Sequence, residues 1–493
     1  MKLQYKSTRG GNLVDSSFAI VKGIAKDGGL YVPTEIPKIN KPLKDLTNKN
    51  YKELAFYIMN KFLPDFNDEE LLDCVEKAYN QKFDTEVIAP LIEKDDAYFL
   101  ELFHGPTLAF KDMALSILPH LLKASKKKLN IKDEIVILTA TSGDTGKAAL
   151  EGFSDVEGTK IIVFFPKEGV SKIQERQMIT QRGENTHVIG INGNFDDAQN
   201  AVKKVFNDKS FNDILKENDH MFSSANSINI GRLIPQIVYY FYSYLNLLKN
   251  NKIDNNEKIN IVVPTGNFGN ILAAYYAKKM GLPVNKLICA SNENNVLYDF
   301  LNTGIYDMRR DLKLTSSPSM DILISSNLER FLYELSNRDS KLINSLMKQL
   351  NNLGVYEITD EMKKGLNDFY GGYADEEKTF DTIKKVFNKY NYLIDPHTAV
   401  AYSVYKDYKK ETSDDTKTII ASTASPYKFT KTVYNSINDN KIDDDFKLIE
   451  KLSKYTNTSI PKVLKSIDKD EILHKDVCNV EDIKKVIEKI LKV

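Results

Sequence analysis

The chain has 493 residues, 42% hydrophobic and 28% charged, the composition of a folded protein with a large core and not of a wholly disordered one. Its 68 Lys and Arg balance 68 Asp and Glu, and zero net charge argues against a general nucleic-acid binder. Cys74, Cys289 and Cys478 are too far apart for a metal-type pair or a disulfide framework, and the sequence holds neither a signal-peptide core nor an apolar run long enough for a bilayer. The expectation is a cytoplasmic protein with no metal, no membrane contact and no nucleic-acid partner.

Residues 1–95 read as a helical N-terminal region with charged stretches such as Asp65–Glu70. Strands and helices then alternate. The β-branched run Glu134–Ala140 reads as a buried strand, TSGDTG as a turn, and the stretch from Lys147 as a helix. Strands follow at Lys160–Phe165 and Thr186–Ile191, with helices at Ser171–Gly183 and Asp196–Phe206. Leu233–Leu248 is a long apolar helix, Ile259–Val263 a strand, and Ile271–Met280 a helix after the loop Pro264–Asn270. Lys286–Ala290 and Thr416–Ala421 add two more strands. A charged helical insertion at about 306–378 interrupts the alternation, and 441–493 reads as a Lys- and Asp-rich helical tail, leaving 96–440 as the core. Repeated strand–turn–helix units predict an α/β protein with mainly parallel sheets, whose ligands bind at the carboxyl ends of strands.

Five constellations have the chemistry for a site. In HGPTLAFKD (104–112), Lys111 stands just inside a helix start beside Phe110 and Leu108. Desolvation there lowers an amine's pKa and makes it a nucleophile, although in isolation the segment reads more readily as a surface lysine at a helix N-terminus. The turn TSGDTG (141–146) offers amides and hydroxyls at a helix N-terminus, with the spacing of an anion cradle but not of a Walker A loop. TGNFGN (265–270) has two glycines that let backbone approach an anion, and no Lys or Arg. NSINIGR (226–232) ends in one of only eight arginines, a fork suited to phosphate or carboxylate. STASP (422–426) puts a hydroxyl at a strand end, where it can bond a ring nitrogen. His397, in DPHTAVA, is most simply a helix-start residue.

HGPTLAFKD, TSGDTG, NSINIGR, PTGNFGN, DPHTAVA and STASPYKF stand in the order found in the threonine synthase family, and FAIVKGIAKDGGLYVP (18–33) and SPSMDI (317–322) resemble its longer bacterial and fungal branch. The resemblance implies a pyridoxal-phosphate enzyme of fold type II, the tryptophan-synthase-β-like fold, with two open, mainly parallel sheets, flanking helices, an N-terminal helical region and a C-terminal helical tail. It implies conversion of O-phospho-L-homoserine and water to L-threonine and phosphate, by a chain that relatives suggest is a monomer. By this resemblance Lys111 is the lysine in Schiff-base linkage to pyridoxal 5'-phosphate, with Phe110 and Asp144 beside the cofactor. Gly266, Asn267, Phe268, Gly269 and Asn270 match the loop that holds its phosphate, and Thr423 the hydroxyl that faces its pyridine nitrogen. Asn226, Ser227 and Arg232 match residues at the substrate phosphate, and Ser142 and Thr145 the turn that receives substrate. Many relatives of the wider fold have Asn at the position of Asp144, and an ionised Asp cannot donate a hydrogen bond; it must be protonated, point elsewhere or accept from a neighbour. Two alternatives stay open: a lyase or dehydratase on the same fold that releases 2-oxobutyrate, and a non-catalytic homologue.

Overall fold

The computed structural model describes residues 2–141, 143–167, 170–438 and 442–493. Two sheets carry the molecule. One has five strands, all parallel, in the order Val477–Asn479, Thr186–Asn192, Thr159–Pro166, Glu134–Ala140, His220–Ser223. The other has six, in the order Phe369–Tyr373, Val284–Ser291, Ile259–Pro264, Thr418–Ser422, Ala97–Glu101, Leu91–Lys94; only the last pair is antiparallel. The inner strands are β-branched and apolar because helices cover both faces and every residue is buried, as in Ile259–Pro264.

Helix Ile230–Lys249 is the central strut. Apolar on all sides, it packs against helices Tyr51–Phe62, Gly269–Met280 and Asp112–Leu115. Asn229 caps it, and its buried residues join the core that includes Leu54, Ile58 and Phe62 from the N-terminal region. Capping boxes begin the helices at Tyr51, Asp68, Lys172 and Phe195, through Asn50, Asn67, Ser171 and Asn194.

Four features depart from the sequence reading or add to it. The helix after TSGDTG starts at Asp144, three residues ahead of Lys147, because Thr141 Oγ1 accepts from the amides of Gly143 and Gly146 and Gly143 adopts φ 138°. The N-terminal region is helical but also holds a three-stranded antiparallel sheet of Tyr5–Ser7, Gly10–Val14 and Tyr31–Pro33. The insertion supplies the edge strand Phe369–Tyr373. Its FYGGY sequence is interrupted by two glycines, which weaken a strand, and Gly372 is needed because a Cβ there would stand 2.5 Å from Val404. The C-terminal tail is helical and adds Val477–Asn479, which pairs in parallel with Thr186–Asn192 and forms that edge of the five-stranded sheet. Among the described residues, no helix is long and apolar enough to cross a membrane.

Candidate active site

Lys111 lies at the mouth of the six-stranded sheet. The turn ahead of it is clamped by Asp112, whose carboxylate accepts from the Thr107 amide at 2.8 Å and the Thr107 hydroxyl at 2.6 Å. A Cβ on Gly105 would fall 2.4 Å from Asp112, so the turn closes only around glycine. Behind the turn, Phe110 N–H donates to Thr423 O at 2.8 Å and Ser425 N–H to Leu108 O at 3.0 Å. The loop that carries Thr423 is thereby tied across the segment that carries Lys111.

A buried charge cluster surrounds the amine. Lys111 Nζ donates to Ser319 Oγ at 3.2 Å, stands 3.6 Å from Asp144 Oδ2 and lies 4.8 Å from the centre of the Phe110 ring. Burial lowers its pKa, Asp144 opposes the shift, and the positive charges of Lys428 and Arg232 add to it. Asp144 accepts from Lys428 Nζ at 2.7 Å and from Gln174 Nε2 at 2.7 Å on one oxygen. Burial alone would raise the Asp144 pKa, but Lys428 and Lys111 outweigh it and hold the carboxyl far below the ordinary range. The donors around it, Lys428, Gln174 and Lys111, suit a carboxylate that accepts from its neighbours, one of the choices that the sequence left open.

Two loops converge near the amine. Phe268 has a left-handed backbone (φ 61°) and buries its ring against Phe331 and Phe369, with centroids 5.4 and 6.1 Å away. The Asn267 side chain accepts from Ser326, and Asn270 Oδ1 accepts from the hydroxyls of Tyr239 and Tyr240. The Asn270 Nδ2 atom is buried without a partner among the described residues. What 265–270 presents is thus mainly backbone, with the first amides of helix Gly269–Met280 lacking acceptors in the helix. The two glycines differ. A Cβ on Gly266 would fall 2.4 Å from Ser319 O, so protein packing requires that glycine. At Gly269 a Cβ would meet Asn327 Nδ2 at 3.4 Å and Ser227 Cβ at 3.8 Å, which brings Ser227 alongside the helix start.

Arg232 is the most unusual group. It is 3% exposed, Nη1 donates to Ala225 O at 2.9 Å, and Nε is buried without a partner among the described residues. Burial pulls its pKa from 12.5 to about 10, and no carboxylate among the described residues offsets the shift. An uncompensated buried guanidinium calls for an anion. Ser227 and Asn226 lie half-buried on the same loop, Thr423 is buried, and Thr145 is half-buried on the first turn of its helix. Ser142 lies outside the described residues.

Sequence reasoning missed the partners supplied by distant segments. Ser319 reaches Lys111 from the short turn Pro318–Met320, which is fastened by Asp321, acceptor to Asn292 Nδ2 and Thr315 Oγ1 at 2.8 and 2.7 Å. Ser319 N–H donates to His397 Nε2 at 3.2 Å, so Nδ1 carries the ring proton and faces Asp395 Oδ1 at 2.7 Å. His397 is a helix-start residue as expected and also a brace for the Ser319 turn. Arg330, fully buried, donates to Tyr31 O at 3.0 Å, Ile228 O at 2.6 Å and Asn327; Asn327 in turn donates to Asn267 O. It joins the N-terminal sheet, the Arg232 loop and the Gly266–Asn270 loop. Lys428 stood inside the quoted STASPYKF, and nothing local distinguished it from a surface lysine.

Comparison with known proteins gives this geometry a family. Residues 4–79 match the threonine synthase N terminus, 88–423 the pyridoxal-phosphate dependent enzymes, and 398–487 the threonine synthase C-terminal region. Threonine synthase of Saccharomyces cerevisiae is 36% identical over 95% of this chain and 96% of its own length. Human threonine synthase-like 1 is 40% identical over 87% of this chain, which spans 58% of the human protein. The crystal structure of pyridoxal-phosphate-bound threonine synthase from Brucella melitensis superposes with a TM-score of 0.87 at 35% identity, covering 99% of both chains. With motifs, fold and relatives in agreement, the chain belongs to the threonine synthase family of pyridoxal-phosphate-dependent enzymes.

Proposed function

We propose that the protein is a threonine synthase that converts O-phospho-L-homoserine and water to L-threonine and phosphate. The observation that carries the reading is a buried amine, Lys111, sharing one cluster with a buried guanidinium, Arg232, whose Nε has no partner among the described residues. The first suits a carbonyl cofactor and the second a phosphorylated substrate.

The residues fit pyridoxal phosphate. Lys111 Nζ would hold it, the Phe110 ring lies against the same amine, and the amides from Gly266 to Asn270 would receive its phosphate at a helix N-terminus. Thr423 would face the ring nitrogen with a neutral hydroxyl. The cofactor supplies an electron sink that acidifies protons near the substrate amine. The protein supplies the rest. Lys111, released by the substrate amine, moves protons at Cα and Cβ. It is suited to this because burial keeps its pKa low and Ser319 fixes its direction. Arg232, Ser227 and Asn226 bind the substrate phosphate and stabilise the charge that builds as it leaves. Thr145 and Ser142, on the TSGDTG turn, would orient the rest of the substrate.

Borohydride reduction of the holoenzyme followed by peptide mapping tests the assignment. The pyridoxyl group should be found on Lys111, and Lys111→Ala should lose turnover; a pyridoxyl group on another lysine contradicts it.

A further inference from the structure

Lys428 has no role in the chemistry above, yet its side chain is fully buried against the same carboxylate. Nζ donates to Thr107 O at 2.8 Å and pairs with Asp144 Oδ1 at 2.7 Å. Thr107 belongs to the turn that carries Lys111, so Lys428 is fastened to both walls of the amine's site. The other oxygen of Asp144 faces Lys111 Nζ at 3.6 Å and Ser319 Oγ at 3.5 Å. One buried carboxylate therefore stands between two ammonium groups, while Gln174 already satisfies part of its hydrogen-bonding need. A buried cation is costly, and an apolar residue of similar length would fill the space at lower cost if packing were the only demand.

We propose that Lys428 is a positioning residue for Lys111: its charge takes up part of the hold of Asp144, so that Lys111 is aligned by the carboxylate yet releases its proton more readily than it would as that carboxylate's sole partner. The charged groups facing Lys111 are Asp144, Lys428 and Arg232; those around Lys428 are Asp144, Asp112 and Lys147. Among the cationic neighbours of Lys111, only Lys428 is bonded to the carboxylate that Lys111 also faces, so its removal changes both the repulsion and the sharing. The inference takes Lys111 as the reacting amine, but its test reads the proton of Lys111 itself, whatever product the enzyme makes.

The test is competitive acetylation of the full-length protein freed of cofactor, across a pH series, with the Lys111 peptide quantified by mass spectrometry. Lys428→Gln, which keeps a hydrogen-bond donor and loses the charge, should raise the Lys111 midpoint by about one pH unit, so that labelling at a fixed pH below both midpoints slows about tenfold. Asp144→Asn combined with Lys428→Met leaves no buried carboxylate unpaired and should bring the midpoint below the wild-type value. A folded Lys428→Gln protein whose midpoint stays within about 0.3 unit of wild type overturns the proposal, whatever its thermal stability, and makes Lys428 a packing group. Should the Gln variant not fold, the double variant is compared with Asp144→Asn alone: a midpoint no higher in the double variant overturns the proposal. A pyridoxyl group mapped to another lysine would instead defeat the reading of Lys111 and leave the labelling result standing.

Discussion

Arg232 concentrates the energetics of the site in one side chain. A charged fork buried without an anion is costly, and a dianionic phosphate offsets that cost with two parallel charge-assisted bonds. Removing it should cost roughly 2–5 kcal/mol, or about 30- to several-thousand-fold in kcat/KM for O-phosphohomoserine. The fall should appear in kcat as well as KM, because the contact strengthens while the phosphate leaves. Arg232→Ala should keep the cofactor absorbance of the wild type, and Arg232→Lys should recover little, since an ammonium is a point charge. Steady-state kinetics check this, and a fall below about threefold would make Arg232 a cap of helix Ile230–Lys249. Lys111 and Arg232 were legible in the sequence because each sits in a short local pattern. Ser319 and Lys428 were not, because burial and pairing across some two or three hundred residues leave no one-dimensional trace.

Among the elements, the turn before Lys111 has a pH signature. His104 Nδ1 meets Asp84 at 2.6 Å and Nε2 meets Glu101 at 2.9 Å. Burial opposes its charge, but the two carboxylates prevail and raise its pKa from 6.5 to about 9. A pKa raised on folding contributes stability that is fully present below 6.5 and lost as pH climbs through about 9. The thermal midpoint of the wild type should therefore exceed that of His104→Gln most at pH 6, and the difference should shrink by pH 9.5, read by scanning calorimetry at both values. A second element-level expectation concerns the tail. Ile487 is fully buried among Ala198, Val202, Ile483 and Leu491, beneath the added strand Val477–Asn479. Ile487→Ala should destabilise by about 2–5 kcal/mol, while the exposed Lys489→Ala should change stability by less than about 0.5 kcal/mol in denaturant titration. The sequence showed this tail as helices because the apolar spacing of Ile483, Ile487 and Leu491 is helical. Its three-residue strand VCN is too short for any alternation to register. The long inner strands, by contrast, were legible to within two residues at either end because β-branched runs bounded by turns leave little choice.

At the scale of the whole molecule, the two sheets, the N-terminal sheet and the insertion meet where the chemistry is expected. Arg330 ties three of these parts together by hydrogen bonds to Tyr31, Ile228 and Asn327, and Gly266 packs onto the carbonyl of Ser319. The order of motifs along the chain conveyed the family, but not that Ser319, His397 and Lys428 close the site, since those contacts exist only once both sheets are assembled. The central claim is that water adds to the substrate carbon chain after phosphate departs. The most direct measurement is turnover of O-phospho-L-homoserine by the holoenzyme in ¹⁸O-enriched water, with products resolved by mass spectrometry. Threonine should form in equal amount with phosphate and carry one solvent oxygen in its hydroxyl; release of phosphate with 2-oxobutyrate and no labelled threonine would contradict the account.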